Sequence, residues 1–238
     1  MDIAQFLYLP LAPIFFFVLV ALCLLVLVFS LIRRAYQQLG LTHAQAVVVL
    51  LGSLIGSFIN IPLALIPSET VAAGQMVDFF GMRYQIPPPT DWGGTVLAVN
   101  VGGAVIPVIM SAYLLFRWQL WAAGLLATVV VGAICYWFSS PVPGMGIAVP
   151  VFIPAIAATI IALLLSRQSA ASLAYVAGSL GTLIGGDLLN FGSFAELGAP
   201  ILSIGGAGTF DGIFLTGIIA VLITGISARR RDSRPTAS

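Results

Sequence analysis

Apolar residues in this chain neither alternate with polar ones nor recur every third or fourth position. They run on in long blocks, near residues 8–32, 45–66, 95–116, 118–138, 147–166, 171–192 and 200–227. Blocks of about 20 apolar residues are what a helix needs to cross the hydrocarbon core of a bilayer. They are far longer than the roughly 10-residue alternating segments of a membrane barrel. The pattern predicts an all-α polytopic membrane protein: one seven-span domain over residues 1–227 and a basic tail over 228–238. The first block, from Phe6 to Phe29, exceeds a signal-peptide core, has no basic segment before it and is followed by Arg33 and Arg34. It therefore reads as a span.

Composition strengthens this reading. Hydrophobic residues make up 60% of the 238 and charged residues only 7%, against about 25% charged in soluble domains. In water such a chain would expose large apolar patches, so its solvent is expected to be lipid. The nine basic residues are all arginine, which excludes lysine Schiff-base chemistry. Cys23 and Cys135 stand in apolar runs without metal or redox spacing, and are expected to be buried thiols. His43 is alone, and there is no phosphate-binding loop, so neither a metal nor a cofactor is expected.

The arginines orient the spans. With seven crossings, Arg33, Arg34, Arg117, Arg167, Arg229, Arg230, Arg231 and Arg234 fall on one face. Only Arg83 falls on the other, in a loop over residues 67–94 that also carries Glu69, Asp78 and Asp91. The positive-inside rule puts the N-terminus outside and the tail in the cytoplasm, in a plasma (inner) membrane. The aromatic loop "DFFGMRYQIPPPTDW" is expected to lie at the membrane surface. The tail's arginines are accounted for by the anionic inner leaflet, without a nucleic-acid partner.

Two halves share motifs. "GSLIGSFIN" (Gly52 to Asn60) matches "GTLIGGDLLN" (Gly181 to Asn190) with one residue inserted, and "VGGA" (Val101 to Ala104) matches "IGGA" (Ile204 to Ala207). These suggest a parallel three-plus-one-plus-three repeat: residues 8–116, a linker span at 118–138, and residues 147–227. Glycine-rich helix packing alone would produce part of the likeness. The halves differ in one respect: the second carries Asp187 and Asp211, and the first has no carboxylate in either matching place.

An ionisable side chain at membrane depth costs at least about 2.5–3.5 kcal/mol, which marks both aspartates as candidate functional residues. Asp187 lies 20 residues after Arg167, and Asp211 lies 18 before Arg229. Their depths thus agree to about 3 Å of helix rise. Two facing carboxylates in a dry site would share a proton, which suits activation of water against a peptide carbonyl. It equally suits a proton or cation relay. The neighbouring Gly185, Gly186, Gly208, Thr209 and Gly212 would allow close approach or break a helix so that backbone groups line a cavity. A purely structural reading has Asp211 capping a half-helix that starts at Gly212, and Asp187 bonding Asn190 or Thr182.

"GTLIGGDLLN" together with "SIGGAGTFDGIFLTG" resembles a family of small prokaryotic integral membrane proteins defined as a domain of unknown function. The likeness covers most of the chain from about the second span onward. It implies the architecture and the choice of residues, and no reaction. A looser likeness is to the GxGD-type intramembrane aspartyl proteases, which place one aspartate on each of two spans. Here Ile184 precedes Gly185-Gly186-Asp187 where that motif has its first glycine, and the Gly-Asp pair comes on the earlier span. "GAPIL" (Gly198 to Leu202) lies between the aspartates instead of following them. What that likeness implies is therefore the paired-carboxylate chemistry alone.

Three functions fit these residues. The first is an aspartyl protease-like hydrolase, with Asp187 and Asp211 catalytic and a membrane-embedded peptide as substrate. The second is a proton- or cation-coupled transporter or channel for a small solute, with the same aspartates beside a cavity lined by Asn60, Asn100 and Asn190. The third is a non-catalytic membrane scaffold. The lipid bilayer is a partner in each, and the residue pattern does not set an oligomeric state.

Overall fold

The computed structural model describes residues 11–66, 76–79, 82–85, 95–142, 146–150, 152–192, 201–206 and 212–232. Helices dominate, as the apolar blocks predict: α1 (Leu11–Gln38), α2 (His43–Gly56), α3 (Ile106–Trp118), α4 (Trp121–Phe138), α5 (Phe152–Leu165), α6 (Ala170–Thr182) and α7 (Gly212–Asp232). Three stretches, Ile14–Gln38, Val101–Trp118 and Trp121–Phe138, are long and apolar enough to cross a membrane. His43–Gly56, Phe152–Leu165 and Leu215–Gly225 are apolar but shorter. These are the helices of a membrane protein. α7 stays helical through the arginines to Asp232, beyond the expected end of the last block, because Ala and Arg are good helix formers.

The all-α expectation is corrected in four blocks, each of which is part helix and part strand. The strands are β1 (Asn60–Ile66), β2 (Met76–Phe79), β3 (Met82–Gln85), β4 (Thr95–Asn100), β5 (Ser140–Val142), β6 (Gly146–Ala148) and β7 (Ile201–Ile204). β4 is the centre of a three-stranded sheet. It pairs antiparallel with β1, from Asn60 opposite Asn100 to Ile66 opposite Thr95, with an irregularity between Pro62 and Ala64. On its other side it pairs parallel with β7, from Val96 opposite Ile201 to Val99 opposite Ile204. Pro62 explains why α2 does not continue, since proline removes a helix donor and clashes with the preceding turn. It is tolerated in β1 because that strand is an edge. Thr95, Val96 and Val99 suit β4 by their branching at Cβ. β2–β3 and β5–β6 are short antiparallel hairpins, the first of them in the expected outer loop.

Helix ends follow local chemistry. Gly40, at φ +85°, turns the chain after α1, and its N–H donates to the Gln37 carbonyl at 3.0 Å. Thr42 then starts α2 with a capping box: Gln45 N–H donates to Thr42 Oγ1 at 3.3 Å, and Thr42 N–H donates to Gln45 Oε1 at 2.9 Å. Each arm satisfies a donor that a helix start leaves orphaned.

α6 is the axis of the bundle, with nearly every residue from Ala170 to Thr182 buried. On one side Tyr36, Leu50, Met110, Leu114 and Val221 form a core with Tyr175 and Val176. On the other, α4 and α5 pack small residues, Ala127, Val131, Ala158 and Ala162, against Ala174 and Ala177. α1 joins the bundle only at its C-terminal end, where Ala35 and Tyr36 are buried; residues Ile14 to Val28 are exposed on every face. Cys23 lies in that stretch and is exposed, contrary to expectation, while Cys135 is buried, and both are free thiols. Gln38 abuts Gly225, and Gly40 abuts Trp118. The ends of α1, α3 and α7 thus gather on the side of the bundle that carries Arg33, Arg34 and Arg117.

Candidate functional site

The helix breaks meet at one place. α2 ends at Gly56 and β1 begins at Asn60; β4 ends at Asn100 and passes through a π-helical turn, Val101–Val105, into α3. α6 runs into a second π-helical turn, Leu183–Leu188, which carries Asp187. π turns are rare and gather at functional positions. Here one lies in each half of the chain, the first on "VGGA" and the second within "GTLIGGDLLN".

Asn100 organises the first break. Its Oδ1 accepts from Gly103 N–H at 2.8 Å and caps the π turn. Its Nδ2 donates to the Ser57 carbonyl at 2.8 Å and to Asn60 Oδ1 at 3.0 Å. Asn60 Oδ1 also accepts from Ser203 Oγ at 2.6 Å, so three strands are tied by three side chains. With 2% of its surface exposed, Asn100 has little access to water, and each bond replaces one the solvent would have supplied. The backbones then touch: a side chain on Gly102 would run into Ser53 and Ser57 of α2.

Asp187 is fastened to the second break. Its Oδ2 accepts from the Gly205 N–H at 2.7 Å, a charge-assisted bond to the residue just past β7. Gly205 has φ +84° and sits on the first π turn, against Ala104 and Gly103. No side chain is admitted there on either count. Asp187 is partly exposed. Asn190 bonds elsewhere: its Nδ2 donates to Ser139 Oγ at 2.9 Å and to the carbonyls of Gly185 and Gly186 at 3.0 and 2.9 Å. It closes the second π turn as Asn100 opens the first.

Of the residues singled out in the sequence, the structure brings Asn60 and Asn100 into direct contact. Asn190 belongs to a separate set of bonds on the far side of the Asp187 turn. Gly185 packs on the Gly132 carbonyl and Cys135 of α4, and Gly186 faces Val149. Gly212 is the first residue of α7, while Asp211, Gly208 and Thr209 lie outside the described residues. Gly205 and Ser203 were not singled out. The repeated "IGGA" pointed at the first, and nothing in the sequence distinguished Ser203 from other serines. Among the described residues no cluster of three metal-ligating side chains is present.

Residues 54–223 match the model of a family described as "Protein of unknown function (DUF1614)", and the chain belongs to that family. No curated protein and no solved structure matches it.

Proposed function

We propose that this member of the DUF1614 family is an intramembrane hydrolase in which Asp187 and Asp211 share a proton and activate water against a peptide bond. One observation carries the reading. The chain on both sides of Asp211 is held against the Asp187 turn. Six residues before it, Gly205 donates to Asp187; two residues after it, Ile213 packs with Leu183, Ala104 and Ile204. A segment pinned at both ends so close to one carboxylate favours a second carboxylate nearby. Two such groups where water is scarce cannot both ionise, so one holds the proton while the other polarises water. The protein would cross a plasma (inner) membrane seven times, with the arginine side in the cytoplasm. A membrane-embedded peptide is then the substrate that can reach the site.

The test is cleavage of single-span peptides by the purified protein in micelles. Asp187→Asn and Asp211→Asn should each lower the rate by about 10²-fold or more, the scale of a lost acid–base group, in protein that still unfolds cooperatively. Cleavage by either folded variant at the wild-type rate overturns the reading.

A second reading has its own support. Four of the apolar blocks are part helix and part strand, and discontinuous spans with exposed backbone ends are where transporters hold ions and solutes. On that reading Asp187 binds a proton or cation, and proteoliposomes under a proton gradient should show flux that Asp187→Asn abolishes. Flux without peptide cleavage would select this function over hydrolysis.

A further inference from the structure

On the arginine side of the helix breaks, four helices each bury a hydroxyl group within two turns of the break. Ser53 (α2) lies one turn before Gly56, and Ser111 (α3) less than two turns after the first π turn. Ser179 (α6) lies one turn before the second π turn, and Thr216 (α7) one turn after Gly212. All four are buried, Ser111, Ser179 and Thr216 completely. Tyr36 of α1 and Tyr175 of α6, also completely buried, continue the group toward the arginine side. The Tyr36 hydroxyl faces Ser53 and the Tyr175 phenol, yet neither it nor Ser53 Oγ closes a hydrogen bond within the described residues. Ser179 Oγ and the Tyr175 ring border the same spot: a Cβ on Gly217 would lie 2.5 Å from the first and 3.3 Å from the second.

The hydroxyls of Ser53, Ser111, Ser179 and Thr216 find no partner among the described residues. That is unusual in this molecule. Thr159, Thr182 and Thr224 are also buried in helices, and each donates to the carbonyl four residues back, at 2.8, 2.7 and 2.7 Å. That local bond is open to a serine or threonine in any helix, but the four forgo it. Unpaired buried hydroxyls are destabilising, and internal water is their usual partner in native proteins. Thr128 is a further unpartnered case, but its helix, α4, contributes nothing to the core that holds Tyr36 and Tyr175.

We propose that Tyr36, Ser53, Ser111, Tyr175, Ser179 and Thr216 form a buried hydration site, a string of bound waters leading from the arginine side of the bundle toward the Asp187 turn. The site is independent of the reaction Asp187 serves. It gives water and protons a route from the face where α1, α3 and α7 end.

Hydroxyl-radical footprinting of the full-length protein tests this, because radicals made from bound water modify their immediate neighbours. Tyr36 and Tyr175 should be oxidised severalfold faster, read as loss of the unmodified residue, than Cys135, which is equally buried, intrinsically more reactive and packed in the alanine-rich core. Oxidation of both tyrosines no faster than Cys135 overturns the proposal. A Ser179→Ala/Thr216→Val double variant, which keeps the volume nearly constant, should cut tyrosine oxidation severalfold. Undiminished oxidation in the folded variant also overturns it, and if the variant does not fold the wild-type ratio decides.

Discussion

Gly205 is the residue on which the site closes. A methyl group there meets a left-handed backbone and the neighbouring π turn at once. Gly205→Ala should therefore lower stability by more than about 1–2 kcal/mol, the conformational part alone. Gly192, with nothing near its Cβ position, supplies the control: Gly192→Ala should stay within about 0.5 kcal/mol of wild type, both read by chemical unfolding in micelles. Asn100→Leu should lower stability by at least about 1–3 kcal/mol, because Gly103 N–H and the Ser57 carbonyl lose their partner inside the protein. At this scale the sequence was informative where charge stood out. Asp187 was conspicuous in an apolar block, and Asn60 and Asn100 were conspicuous as amides. Gly205 and Ser203 were not, because their importance comes from pairing β7 beside β4, a contact between residues over 100 positions apart.

Two glycines of the matched motifs, Gly52 and Gly185, do different jobs in their segments. Gly185 crosses α4 so closely that a Cβ would strike Gly132 and lie 2.8 Å from the Cys135 Cβ; Gly52 has 3.5 Å to Ile106 Cδ1. Gly185→Ala should push the Asp187 turn off α4 and lower stability by about 1–3 kcal/mol, as overpacking does. Gly52→Ala should be neutral or raise stability by up to about 1 kcal/mol, since Ala is the better helix former. Thermal unfolding of the two variants side by side checks the pair. The same elements show why the strands were illegible. A uniformly apolar run has no period, so helix and strand fit it equally. Pro62 and the β-branched residues of β4 were present as signals, but block length outweighed them in the reading. The helix start at Thr42 rests on local chemistry alone.

Across the molecule, the apolar blocks carried the mostly helical, membrane-type character, because lipid constrains every residue that touches it. The ends of α1, α3 and α7 gather beside Arg33, Arg34 and Arg117. α1 shows the solvent most directly, since Ile14 to Val28 could not stand exposed on all faces in water. Cys23 in reconstituted vesicles should accordingly react with a lipid-soluble maleimide and resist a charged one, while Cys135 should react with neither until the protein is unfolded. Rapid labelling of Cys23 by the charged reagent would contradict a lipid-facing α1. The bond between Asp187 and Gly205 also has a mechanical side. It makes one carboxylate a latch as well as a chemical group, because a proton arriving on Oδ2 weakens the hold of the α6 segment on β7. Whatever loads or unloads that oxygen thereby also governs how freely the two halves of the chain can part.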